Sequence, residues 1–284
     1  MQRLKKLKAL DLYKEFPNKI LNSKYSDIQK KGFLIKDSHL PKETCKKLLD
    51  ATKKIYRPTV DKYGVDQLKR IAELGCVRSP FILDKNYRDL LLDPMMHAIC
   101  NEYFPCGYIL HLCRSILLDN NLSKEVSPVE VHRDIPYLYT PSKYPLSLSF
   151  LFFFNSSSKP QLLIFKNTHD QSYYDIPTSQ VEIHPNQGTL LAFNSNLLHC
   201  SLPVKESVSY CLFMFTTPLI KQVVEYSSEK FIKKFNSLNY RVNEILPLLG
   251  GRYLSPKDDE QLLERKIIRT SKDKAYYETK PLDK

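Results

Sequence analysis

Between Val129 and Leu219 the chain breaks into short apolar runs separated by polar loops. The runs are Val129–Arg133, Leu146–Asn155, Gln161–Lys166, Gln180–His184, Thr189–Phe193 and Val208–Thr216. They are rich in β-branched and aromatic residues, which favour half-buried strands. Many short strands at close spacing read as a β-sandwich or jelly roll. Helical patterns flank this stretch. Leu4, Leu7 and Leu10 share a face within residues 1–30, and a helix is expected from Lys42 with Cys45, Leu48, Leu49 and Ile55 inward. Leu90 to Tyr103 reads as helix and Gly107 to Leu118 as a strand, with Pro58 and Pro80 as breakers between them. In the last third of the chain, 246–251 reads as a break and Lys257 to Arg269 as a charged helix. The expected class is α+β: a double-stranded β-helix (jelly roll) core with flanking N- and C-terminal helices. It forms one domain over 1–284, with a basic helical extension at 1–30 and a helical tail at 220–284.

Charge narrows the list of partners. The formal net charge is +12, but residues 1–60 hold 16 Lys/Arg against 6 Asp/Glu, while 61–220 hold 13 against 15. The excess sits at the ends and lacks interleaved aromatic platforms, so a solvated helix face explains it better than a nucleic-acid footprint. Seven cysteines, with no C-x-x-C pair, suit reduced thiols in a cytoplasm rather than a disulfide framework. The longest nearly apolar run, Leu146 to Phe154, is too short to span a bilayer as a helix. The expectation is a soluble, cytoplasmic protein acting on a small molecule.

The chemistry concentrates in Glu130-Val-His-Arg-Asp134. Side chains at i and i+2 of a strand leave the same face, so His132 and Asp134 can reach one ion. His199, in Asn196-Leu-Leu-His-Cys200, is the best third ligand. Two imidazoles and one carboxylate on one side of a metal leave the other side open, which suits iron(II) that must also bind a co-substrate and oxygen. No P-loop, G-x-S-x-G or Rossmann fingerprint competes with this reading. His111 and His184 read as structural.

Three stretches carry a resemblance to the phytanoyl-CoA dioxygenase family of Fe(II)/2-oxoglutarate oxygenases, over residues 32 to 217 or so. The first is the opening Lys31-Gly-Phe-Leu-Ile-Lys-Asp37 followed by a Pro-initiated helix. The second is Gln161-Leu-Leu-Ile-Phe-Lys-Asn-Thr-His169. The third, Gln187-Gly-Thr-Leu-Leu-Ala-Phe-Asn-Ser-Asn-Leu-Leu-His-Cys-Ser201, resembles the family's G-D-x-x-x-F-x-x-x-x-x-H-x-S segment. The resemblance implies His132, Asp134 and His199 as iron ligands and Ser201 as a contact of the 2-oxoglutarate carboxylate. It makes His169 a structural turn residue. It also implies O2 as the second substrate, and hydroxylation rather than halogenation, because halogenases replace the carboxylate ligand that Asp134 supplies.

One departure matters. Where the family carries an arginine that pairs with the far carboxylate of 2-oxoglutarate, this chain has Tyr210. Arg114 or Lys205 would be a relocated cation. Otherwise the anchor is neutral, the co-substrate differs, or the protein is a catalytically silent metal binder. A substrate wall is expected from residues 55–85, where Lys69, Arg70 and Arg78 could meet an acidic group. The loop 135–147, with Tyr137, Tyr139 and Tyr144 among three prolines, would complete it.

Overall fold

The computed structural model describes residues 24–68, 76–104, 107–118, 131–134, 146–169, 179–202, 206–217, 233, 235–249, 265–269 and 275–279. The N-terminal helices expected before residue 24, the loop 135–145, Lys69, Arg70 and Lys205 lie outside them.

The order of elements is α1 (Asp27–Lys31), β1 (Phe33–Lys36), α2 (Lys42–Leu68), β2 (Cys76–Arg78), α3 (Pro80–Leu83), α4 (Lys85–Leu91), α5 (Pro94–Tyr103) and β3 (Ile109–Leu118). Then come β4 (Ser147–Phe153), β5 (Leu162–Phe165), β6 (Gln180–Ile183), β7 (Leu190–Asn194), β8 (His199–Ser201) and β9 (Val208–Thr216). The described remainder holds α6 (Val242–Ile245), a 3-10 turn (Leu246–Leu249), β10 (Arg265–Arg269) and β11 (Ala275–Thr279).

Six strands form one antiparallel sheet in the order β1-β7-β4-β9-β3-β2, and three form a second in the order β6-β5-β8. Alternation along the central strands divides the core in two. Leu148, Phe150 and Phe152 of β4, with Cys211, Phe213 and Phe215 of β9, join the helix-side cluster containing Leu48, Phe81, Tyr87 and Ile99. Leu151 and Phe153 of β4, with Leu191 and Phe193 of β7, meet Leu162, Ile164 and Ile183 of the smaller sheet. The large sheet is therefore buried on both faces, by helices on one and by the small sheet on the other. Each of the fully buried phenylalanines Phe150, Phe152 and Phe213 contributes roughly 1.5–3 kcal/mol of burial.

A β-bulge sits in β3. Leu110 opposes Phe215 and Leu112 opposes Met214, so His111 is the extra residue. The bulge reverses the alternation. Leu110 faces the helices, and so do Cys113 and Ser115, which leaves Leu112 and Arg114 on the face toward the small sheet.

Several expectations need correcting. Pro58 does not break α2, which continues to Leu68; an interior proline forfeits one backbone bond, and the long helix carries that cost. The helix expected over 90–103 is two helices, because Asp93 caps α5 and Pro94 occupies its first turn. The Val129–Arg133 strand reduces, among the described residues, to a single bridge at His132. The break expected at 246–251 holds a 3-10 turn at Leu246–Leu249. The helical tail over 220–284, with its charged helix ending at Arg269, gives way at that end to a hairpin of β10 and β11. Its register sets Ile267 and Ile268 against Tyr277 and Tyr276, residue types that favour strands over helices. No described helix is long and apolar enough to cross a membrane.

Candidate metal centre

His132, Asp134 and His199 converge. One ligand atom from each lies within 4.8 Å of the others. Both imidazoles address the same carboxylate oxygen: His199 Nε2 is 3.4 Å and His132 Nε2 3.6 Å from Asp134 Oδ1. The backbone brings this about. His199 opens β8, and its N–H and C=O pair with the C=O and N–H of His132 at 3.0 and 2.9 Å. The two rings consequently lie side by side, tilted by 48°, with centroids 4.4 Å apart. The Asp134 N–H donates to the Ser195 carbonyl at 3.0 Å, which pins the third ligand to the turn after β7.

The local hydrogen bonds prepare the donors. A carbonyl can only accept, so His199 Nδ1 carries the proton it donates to Leu197 O at 2.9 Å. That bond fixes the ring so that its other nitrogen, Nε2, is the one that faces Asp134. Phe193 packs edge-on to the same ring at 5.0 Å. Burial alone would raise the Asp134 carboxyl. The facing imidazoles, His199 first, outweigh it and hold the carboxyl well below the usual carboxylate range. Two neutral-capable imidazoles and one ionised carboxylate form a donor set that fits a divalent first-row metal. The side chains of His199 and Asp134 are 7% and 14% exposed, while His132 is 37% exposed. The cluster thus opens to solvent on the His132 side.

Arg133, between two of the ligands, turns away from them. Its guanidinium is buried and donates to Thr168 O at 2.7 Å and to Asn196 O. It clamps the ligand segment onto the turns after β5 and β7. His169 is buried and its Nε2 donates to Gln29 O at 2.9 Å, outside the cluster. His111 is buried at the β3 bulge, and His184 is exposed beside Glu182 at 3.4 Å.

Past His199 along β8 lies a cavity lined by Leu151, Phe153, Gln161, Leu162, Ser201, Leu202, Val208 and Tyr210. Ser201 is two residues past His199 on β8, and the Tyr210 ring packs at a tilt against Phe153, with centroids 5.5 Å apart. The lining side chains are neutral. Arg114 is not among them. It opposes Leu212, one inward-facing position from Tyr210 along β9, and shares their face of the sheet. The structure therefore brings Ser201 and Tyr210 together and places Arg114 on the adjacent strand.

Sequence reasoning missed four contributors: Ser149, whose hydroxyl meets Asp134, Ser195 and Ser147 behind it, and Gln161 in the cavity wall. The signal for two of them was present. Ser147-Leu-Ser-Phe150 alternates polar and apolar inside an otherwise apolar strand, so its serines had to share a face.

No protein-family model matches the chain, and no curated protein matches its sequence. Solved structures do match its fold. One is HygX from Streptomyces hygroscopicus, with nickel and 2-oxoglutarate bound (TM-score 0.55, 9% identity, covering 72% of this chain and 91% of HygX). The non-heme monooxygenase ThoJ in its apo form aligns at a TM-score of 0.57 and 10% identity, over 80% of this chain and 99% of ThoJ. SnoN, a non-heme α-ketoglutarate-dependent epimerase from nogalamycin biosynthesis, aligns at 0.53 and 10% identity, over 72% and 84%. At such identities the likeness shows the shared fold, two antiparallel sheets with flanking helices.

Proposed function

We propose that the chain is a non-haem iron(II) oxygenase that uses 2-oxoglutarate and O2 to hydroxylate a small organic substrate on a double-stranded β-helix. The observation that carries this reading is the pair of imidazole Nε2 atoms facing a single oxygen of Asp134, at the mouth between two antiparallel sheets. Its support from the comparisons is the 2-oxoglutarate and nickel bound in HygX, on the same fold. The finer likeness to the phytanoyl-CoA dioxygenase family rests on the three sequence stretches quoted above. Buried, reduced Cys45, Cys100, Cys113, Cys200 and Cys211 suit a cytoplasmic setting.

His132, Asp134 and His199 would hold the iron. The metal, with co-substrate and dioxygen, supplies the oxidising power that the protein lacks. The residues around it orient and exclude water. Ser201 and Tyr210 line the cavity that would receive the far end of 2-oxoglutarate, and Gln161 adds an amide there. Arg114, on the same inward face one position along, would bring the charge that Tyr210 does not.

A second reading, a metal binder that is silent or takes another co-substrate, is favoured by one observation: the cavity lining is neutral. One experiment separates the two. Under anaerobic conditions iron(II) and then 2-oxoglutarate are added, and the weak visible charge-transfer band of the chelate is followed. The first reading requires a band in the wild type that His132→Ala abolishes. Iron binding without a band sinks it in favour of the second. Product analysis then decides hydroxylation against other outcomes, since SnoN, described as an epimerase, shares the fold.

A further inference from the structure

We propose that Ser149, backed by Ser195 and Ser147, is a positioning residue that keeps Asp134 a one-oxygen ligand. The inference rests on the metal-binding reading above and concerns how much of the metal is left open.

Asp134 has two oxygens with different neighbours. Oδ1 faces both imidazoles. Oδ2 accepts the Ser149 hydroxyl at 2.8 Å. Behind it, Ser149 Oγ lies 2.8 Å from Ser195 Oγ, which lies 2.8 Å from Ser147 Oγ. All three serines are buried. An ionised carboxylate can only accept, so Ser149 must donate to it. Each hydroxyl has one proton, so Ser195 then donates to Ser149 and Ser147 to Ser195. The chain has one polarity, and its aligned dipoles strengthen the terminal bond to Oδ2.

Three elements meet here. Ser147 and Ser149 leave one face of β4, Ser195 follows β7, and the Ser195 carbonyl holds the Asp134 N–H. The same turn therefore fixes both the backbone and, through Ser149, the carboxylate plane of the ligand. Without the Ser149 hydroxyl, Oδ2 would be a second donor beside Oδ1. A chelating carboxylate would occupy a coordination position that a facial triad leaves for exchangeable ligands.

The test uses manganese(II) as probe and the full-length protein. Water-proton relaxation of the metal-saturated protein reports how many waters the ion keeps, and the metal-free melting temperature reports folding. In Ser149→Ala the relaxation per bound ion should fall by about one third, one of three open positions being lost. Ser195→Ala, one bond further away, should give a smaller fall in the same direction. A serine acting only as core packing would lower the melting temperature and leave relaxation per bound ion unchanged, and that result in Ser149→Ala overturns the proposal. Wild-type protein that binds manganese no better than His132→Ala overturns the metal-binding reading itself. Manganese bound normally in the wild type, with an unchanged Ser149→Ala, overturns only the role of the serines.

Discussion

The large sheet carries a buried hydroxyl network on each face, and the two end differently. On the helix side Thr52, Tyr87 and Ser115 bond one another, and Thr52 also donates to Leu48 O at 2.7 Å. That network closes on itself and on backbone. Burial pushes the Tyr87 phenol well above its ordinary value, so it stays neutral. On the other side Ser147, Ser195 and Ser149 run to an ionised carboxylate whose second oxygen faces two imidazoles. Both networks satisfy buried polar groups, as any packed interior must. A closed, neutral ring of hydroxyls has nothing left to offer a ligand. An open chain that terminates on a charge does. The two networks are alike in burial, and only the one beside the candidate metal centre stops on a charge.

Substitutions on the two faces should separate stability from metal affinity. The largest effect is expected from Phe150→Ala on the helix side, at about 3–5 kcal/mol from lost burial and cavity formation. Urea unfolding would measure it, with manganese affinity of the folded protein unchanged. A matching loss of affinity would mean that the two faces of the sheet are not independent.

Tyr87→Phe should cost about 1–3 kcal/mol, because Thr52 and Ser115 lose a shared partner in a buried site. It too should leave metal binding intact. Arg114→Met tests the other face. It should weaken 2-oxoglutarate binding about tenfold or more, the scale of a charge-assisted bond, without changing metal affinity. Equal 2-oxoglutarate titration midpoints in the variant and the wild type would remove Arg114 from the site.

The smallest expected effect is a pH dependence confined to the helix side. Burial, the dominant influence, lowers the His97 pKa, so the folded state favours the neutral ring. The unfolded chain then binds the extra proton first. The stability that His97 contributes is therefore present above its ordinary value of 6.5 and is lost as pH falls below it. Melting temperatures between pH 7 and pH 5 should fall less steeply in His97→Gln than in the wild type.

The sequence was informative where side-chain alternation met long strands. Val208–Thr216 is found at its expected bounds, and β4, β5 and β7 lie within a residue or two of theirs. It was uninformative where pairing depends on distant chain. β8 is three residues long and exists because His132 and Leu162–Ile164 flank it. The ligand triad was legible as residue types at a spacing. The i, i+2 argument nevertheless assumed a strand, whereas the described segment 131–134 carries a single bridge, with Arg133 clamped to two carbonyls. The face of Arg114 was beyond reach, since the bulge at His111 reverses alternation and no local residue signals it. In α2 and the β10–β11 hairpin, proline and charge patterns pointed the wrong way because propensity is a weak prior against longer-range pairing.

The reciprocal main-chain bonds between His132 and His199 also bear on calorimetry. Two donors held by one β-bridge do not have to find each other when an ion arrives. Metal loading should then proceed with little ordering of the chain and a small heat-capacity change, unlike sites that assemble only as their protein folds. The apoprotein would behave as a preformed chelator, whose loading in a cell follows the supply of metal rather than the moment of its own synthesis.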